Sequence, residues 1–470
     1  MREVTTAELA GMTGARLVGD AAVVVGPDVV IDSRLAGPGC LFVALPGEHA
    51  DGHDFAERAV GAGAAAVLGT RELSLDVPQL VAGDAGAALA ALGTAVVADA
   101  VAGGLVTVGI TGSSGKTSTK DLLAQVLATA GETVAPVGSF NNEIGVPLTA
   151  TRVGRRTRYL VSEMGARGRG HIAWLCGIVP PKVGVVVNVG HAHLGEFGSV
   201  EAIAQAKGEL VEAVPADGWA VLNADDRLVS GMASRTTARL ATFSTAGEPA
   251  WGDLRVWATD VSTDDLQRPA FTLRVGGAAT GEAPVRLLVS GTHQVGNALA
   301  AAAVALSQGL PVAGVADALG RAEARSAWRM ELHERGDGLL VVNDAYNANP
   351  DSMAAALRAL GSLRRPGGRL LAVLGDMLEL GPTAAHQHRE VGALAASLGV
   401  DRLVAIGEYA PDLAAGFAGS TDTVPDRDAA VAAVADWVRP ADVVLVKASR
   451  GLALETVAEQ LLNSPEGGPR

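Results

Sequence analysis

Residues 105–118 read LVTVGITGSSGKTS. The apolar, β-branched run 105–110 predicts a strand, Gly112-Ser113-Ser114-Gly115 a tight turn, and Lys116-Thr117-Ser118 the start of an amphipathic helix. Small residues in such a turn let successive backbone N–H groups wrap a phosphate. The helix N-terminus adds positive potential, the lysine adds a full charge, and the threonine hydroxyl can ligate Mg²⁺. Thr111, Gly112, Ser113, Ser114, Gly115, Lys116, Thr117 and Ser118 therefore predict a site for ATP or GTP. The loop is the short form T-G-x-x-G-K-T, because Ile110 stands where the longer phosphate-loop pattern has glycine.

The rest of the chain predicts an α/β protein of three domains. Its 470 residues are 49% apolar but only 3% aromatic, so alanine, valine, leucine and glycine must fill the cores, which suits closely packed strands and helices. Net charge is −14, from 37 basic and 51 acidic residues, with no basic run; that balance disfavours nucleic acid and anionic lipid as partners. Cys40 and Cys176 match no metal spacing and are expected to be reduced, buried thiols. No apolar signal core and no apolar run of about 20 residues is evident, so a cytoplasmic location is expected.

Residues 1–102 predict a small mixed α/β domain, with a capped helix starting at Thr5-Thr6-Ala7-Glu8, strands near 23–25, 29–31, 40–45 and 64–68, and an alanine-rich helix near 85–98. Residues 103–322 predict the nucleotide domain, a mostly parallel sheet with strands near 105–110, 158–162, 183–189 and 219–222, extended by antiparallel runs over 241–290. Residues 323–463 predict a doubly wound, Rossmann-like sheet whose four apolar strands each end in polar residues, the edge where ligands bind. The tail 464–470 is expected to be disordered. Gly103-Gly104 and the segment near 320–328 are the expected hinges.

Three residues give the phosphate loop a chemical context. Glu163 ends a strand in SEMGA, His193 follows another in NVGHAHLGEFGS, and Lys207 lies on the next helix in AQAKGEL. In a parallel sheet all three can reach the edge where the phosphate loop sits. The carboxylate can ligate Mg²⁺ and the histidine can join a second metal site. A bare ammonium at Lys207 would compete with those metals.

This constellation resembles the Mur ligases, ATP-dependent amide-forming enzymes of peptidoglycan synthesis. SFNNEIGVP (139–147), EMGARGRGHI (163–172), AHLGEFGS (192–199), RMEL (329–332), NDAYNANPDSM (343–353), GDMLELG (375–381) and KASRG (447–451) resemble the branch that adds D-alanyl-D-alanine to a UDP-N-acetylmuramoyl tripeptide, as does the first-domain segment DSRLAGPGCLFVALPGEHADGHDF. The resemblance implies ATP and Mg²⁺ as cofactors, the tripeptide and D-alanyl-D-alanine as substrates, and a monomer. It implies that Lys116 and Thr117 hold phosphates and Mg²⁺, that Glu163 and His193 bind metal, and that Lys207 is carbamylated. A carbamate is anionic and removes the charge conflict. The resemblance further implies that Asn297 faces the adenine, that Arg329 and Asp344 approach the nucleotide, and that Tyr346, Asn347 and Asn349 share that loop on the substrate side. It also implies that Asp32, Ser33 and Arg34 lie near the uridine and that Asn141 and Asn142 lie beside the phosphate loop. Two positions depart from the family pattern: Gln294 within His293-Gln294-Val295-Gly296-Asn297, and Ser326-Ala327-Trp328 before Arg329.

Overall fold

The run 105–110 becomes Val106–Thr111, an interior strand of a nine-stranded sheet with helices on both faces, and Val108 and Ile110 are fully buried on one of those faces. The computed structural model describes residues 1–47, 50–190 and 194–463, with backbone alone for Leu194 and Glu196. In spatial order the strands are Gly281–Arg286, Pro269–Gly277, Leu254–Thr263, Arg239–Ser244, Trp219–Asn223, Val183–Val186, Val106–Thr111, Thr157–Glu163 and Glu132–Val134. All neighbours from Leu254–Thr263 to Glu132–Val134 are parallel.

Only the last two strands of the stretch 241–290 are antiparallel, which narrows the expectation for that stretch. Arg239–Ser244 and Leu254–Thr263 instead extend the parallel sheet, with Ala241 opposite Leu254. The intervening loop carries the chain back to the start of the next strand through Gly247 (φ +132°) and Gly252 (φ +112°), a backbone region that favours glycine.

Helices Lys116–Ala128 and Gln294–Ser307 pack together on one face of this sheet, where small side chains from Ala298 to Ala305 are fully buried. His171–Ile178 and Val200–Glu212 cover the other face. There Leu160, Met164, Leu175 and Leu210 share one apolar cluster with Leu89 and Leu92 of the first domain. Leu89 and Leu92 lie on the 18-residue helix Ala85–Ala102, the one helix among the described residues with the length and apolarity to cross a membrane. Its buried face packs on Gly145–Ala150, with Gly93 so close to Pro147 that a Cβ would lie 3.1 Å from its Cα.

The first domain holds a five-stranded sheet in the order Arg16–Val18, Gln79–Val81, Ala66–Gly69, Leu41–Val43 and Val29–Val30, parallel except for the first pair. The expected helix start is present: Thr5 accepts from Glu8 N, and Glu8 accepts from Thr5 N at 2.8 Å, capping Thr6–Thr13.

The third sheet runs Glu331–Glu334, Leu340–Asn343, Val443–Lys447, Leu370–Gly375, Arg402–Ile406 and Ser420–Val424, parallel after the first pair. Pro350–Ser362, Ala384–Ser397 and Ala410–Gly416 bury one face, and Arg427–Ala435 and Glu455–Asn463 bury the other. This is the expected doubly wound arrangement, with two edge strands beyond the four expected.

The connection between the second and third sheets is pinned to the phosphate-loop helix. Glu323 N donates to Gln125 Oε1 (3.1 Å), Ser326 N donates to Asp121 Oδ2 (2.9 Å), and the buried Lys120 ammonium donates to Ser326 Oγ (3.1 Å). Trp328 (φ +59°) and Met330 (φ +51°) are left-handed on either side of Arg329, a strained turn for side-chain-bearing residues.

Candidate active site

The phosphate loop leaves strand Val106–Thr111 and turns at Gly115 (φ +77°), where a Cβ would lie 2.5 Å from Asn297 Oδ1. Asn188 fastens the loop: its Oδ1 accepts from Ser113 N (3.0 Å) and Ser114 N (2.9 Å). The Lys116 ammonium folds back onto Gly112 O at 2.6 Å. Desolvation lowers its pKa below the ordinary lysine range; the Glu163 carboxylate opposes this and the Arg329 guanidinium adds to it. Thr117 is buried and lines the cleft, whereas Thr111 is fully buried with its hydroxyl unpaired beneath the loop.

Glu163 ends the neighbouring strand and is 1% exposed. Asn141 Nδ2 donates to its Oε1 at 2.8 Å, while Oε2 is buried with no hydrogen-bond partner. An orphaned carboxylate oxygen is costly to bury, so its place in a cleft marks it for a ligand. Lys207, on Val200–Glu212, is 2% exposed and sits behind the cleft wall rather than lining it. Burial first, then the Lys116 charge, pulls its pKa well below the ordinary lysine range. No carboxylate among the described residues pairs with it. His193 lies outside the described residues, as does the tail 464–470.

The third domain supplies the facing wall of a cavity of about 570 Å³. Arg329 stacks over Tyr346 at 4.2 Å, with its Nε buried and unpartnered. Tyr346 reaches across to Ser139 through their hydroxyls. Asp344 Oδ1 accepts from Met330 N (3.1 Å), and its Oδ2 pairs with the buried Lys447 at 2.6 Å. Lys447 also donates to Asn347 O at 2.9 Å. Asn349 lines the cleft but spends its side chain capping Pro350–Ser362 through Ser352 N (2.9 Å).

A second cavity of about 450 Å³ adjoins the first. Ser118, Gln294, Arg329 and Met330 line both. Asn297 lines only the main cleft, where it accepts from the Thr119 hydroxyl (3.3 Å) and donates to Gln294 Oε1 (2.9 Å). Asn142 lines the main cleft beside Asn141. Asp32, Ser33 and Arg34 do not line it. In the first domain Asp32 caps the turn Ser33–Leu35 and holds Arg34 at 2.6 Å, which brings its carboxyl down to about 2.

Asn188, Arg167, His171, Lys447 and Arg450 also line the cleft, although the sequence reading gave none of them a role. Lys447 and Arg450 had a visible signal in KASRG at a strand end, whereas Asn188 could be found only from the fold.

Three family models match: the Mur ligase middle domain over residues 110–305, the Mur ligase glutamate ligase domain over 328–450, and the Mur ligase family catalytic domain over 28–102. The chain is 48% identical to the UDP-N-acetylmuramoyl-tripeptide–D-alanyl-D-alanine ligase of Mycobacterium tuberculosis (strain ATCC 25618 / H37Rv), over 98% of both chains. It is similar to the crystal structure of MurF from Acinetobacter baumannii, with a TM-score of 0.85 and 29% identity over 99% of this chain and 100% of that one. The MurF ligase of Thermotoga maritima in complex with ADP superposes with a TM-score of 0.76 and 29% identity, over 93% and 97% of the two chains. This chain, whose phosphate loop and orphaned glutamate face a wall supplied by a third domain, belongs to the Mur ligase family.

Proposed function

We propose that this chain is an ATP-dependent ligase that joins D-alanyl-D-alanine to a UDP-N-acetylmuramoyl tripeptide. The observation that carries the proposal is Glu163: a buried carboxylate with an unsatisfied oxygen, set against the phosphate loop in a cleft that a third domain closes. The full-length likeness to ligases of that name supports the choice of substrates.

The tripeptide's terminal carboxylate attacks the γ-phosphorus of ATP, giving an acyl phosphate and ADP. The dipeptide amine then attacks the acyl carbon, phosphate leaves with the bonding pair, and the amine loses a proton. The chain's task is positioning and charge neutralisation. Loop N–H groups and Lys116 hold the phosphates, Arg329 covers them from the third domain, and closure keeps water from the acyl phosphate. The adenine lies in the main cleft, against Asn297.

Glu163 Oε2 and the Thr117 hydroxyl fit Mg²⁺. An ion held there would complete its shell with phosphate oxygens and water. Bound there, Mg²⁺ would neutralise charge during phosphoryl transfer, with His193 as the further ligand. Lys207 is the carbamylation site, since the uncharged amine is the form that adds CO₂ and this site favours it. Residues 1–102 take the sugar nucleotide, 103–322 the ATP, and 323–463 the dipeptide, in a cytoplasmic monomer. Phosphate release that requires ATP, tripeptide and dipeptide together tests the proposal; release with ATP alone, or none with all three, overturns it.

A further inference from the structure

The loop that follows Glu163 carries charge that the chemistry above does not use. It runs from the strand end to helix His171–Ile178, and Glu209 fixes where that helix begins by accepting from Gly170 N (2.7 Å) and Ala173 N (3.0 Å). Gly165 N donates to Asn141 O (2.8 Å), tying the same loop to the segment that carries Glu143.

Three charged or titratable side chains meet at this junction. His171 Nδ1 accepts from Arg167 N at 3.2 Å. Glu143 Oε1 lies 3.2 Å from His171 Nε2, yet Nε2 is buried and makes no hydrogen bond. The Arg167 guanidinium stands 3.8 Å from Glu143 Oε2, with both side chains largely exposed. So loose a pair adds little stability by itself. Arg167 and His171 line the main cleft together with Glu163 and the phosphate loop, whereas Arg169 does not. Trp174, exposed and apolar, is stacked on His171, and Phe140 and Ile144 are exposed on the segment that carries Glu143.

Resting on the ligase reading above, we propose that Glu143, Arg167 and His171 read the side chain of the residue whose carboxylate reacts. They would select a side chain ending in both an ammonium and a carboxylate over one ending in an ammonium alone. The reacting carboxylate is held at the phosphate loop and Glu163, and Arg167 follows only four residues on, at the same edge of the cleft. Methylenes of the substrate side chain lie along the apolar flank. Its ammonium takes Glu143, and its carboxylate takes Arg167 and His171 Nε2, replacing a weak internal pair with charge-assisted bonds. A side chain without that carboxylate leaves Arg167 covered and unmatched, and sites built to pair a polar group discriminate strongly when the group is missing.

The test compares UDP-N-acetylmuramoyl tripeptides ending in 2,6-diaminopimelate and in lysine. Wild-type kcat/KM should favour diaminopimelate by about tenfold or more. Arg167→Ala should bring that preference to within about twofold, through KM rather than kcat, Arg167→Lys should keep part of it, and Arg169→Ala should keep all of it. Glu143→Gln should weaken both substrates, since both carry the ammonium. An unchanged preference in Arg167→Ala, or equal use of both substrates by the wild type, overturns this inference and leaves the ligase reading standing. No phosphate release with either tripeptide overturns the ligase reading itself.

Discussion

The two walls of the cleft handle buried charge in opposite ways. On the middle-domain wall, Glu163 keeps one oxygen unpaired, and Lys207 behind it has no counter-charge among the described residues. On the third-domain wall, Lys447 is equally buried but pairs with Asp344 at 2.6 Å, and Asn349 caps a helix. Among the described residues of that wall, Arg329 breaks the pattern, with its Nε unpartnered. Among the described residues, one wall leaves its buried charges without a paired counter-charge, and the other spends them on its own shape. Substitutions on the first should remove activity at little cost to the fold, and on the second should cost stability first.

The largest effect should come from Lys116→Ala, which removes a full charge from the phosphate site and should lower kcat by at least about a hundredfold. Near-normal turnover would break the contrast at its strongest point. Lys207→Ala should also abolish most activity, and a short carboxylic acid, but not added bicarbonate, should restore part of it.

Lys207 sharpens the contrast through its pH dependence as well. A lysine whose pKa is lowered in the fold gives up its proton at a lower pH than the unfolded chain does. Between its folded pKa and the ordinary value of 10.5, stability therefore rises with pH. Lys207→Met should raise the melting temperature in CO₂-free buffer, and the gain should shrink as pH climbs towards 10.5. A lower melting temperature at neutral pH would mean that the ammonium is compensated after all.

Lys447→Met should behave in the opposite sense, because it strands the Asp344 carboxylate. It should cost about 3 kcal/mol or more, read by urea unfolding, with Lys447→Met/Asp344→Asn costing less than the sum of the two singles. Smallest of all, Asn349→Ala should cost about 1 kcal/mol as a lost helix cap and leave the dipeptide KM within about twofold. A large KM change would place Asn349 on the substrate side.

What the sequence revealed follows the same division. The phosphate loop and Glu163 were legible because their chemistry is written in consecutive residues after uniform apolar strands. The parallel core strands were legible for the same reason: Leu370–Gly375 and Val443–Lys447 are buried along their whole length. Edge strands were not: Ser420–Val424 (STDTV) and Glu331–Glu334 (ELHE) are polar, because an edge strand needs no second apolar face. Burial of Lys207 was also invisible, since AQAKGEL reads as an ordinary amphipathic helix and only tertiary packing turns Lys207 inward. The junction of Glu143, Arg167 and His171 joins segments more than twenty residues apart, which no local pattern records.

The Asn188 amide has a consequence for how nucleotide enters. Ser113 N and Ser114 N already have an acceptor, and the Lys116 ammonium already rests on Gly112 O. A phosphate that claims these donors exchanges one partner for another instead of filling an empty cradle, so it gains only the difference between an anionic and a neutral acceptor at each bond. Inorganic phosphate therefore has a poor foothold. A ligand must bring enough negative charge to draw the lysine off its perch, which favours a triphosphate tail over the single phosphate that the reaction leaves behind.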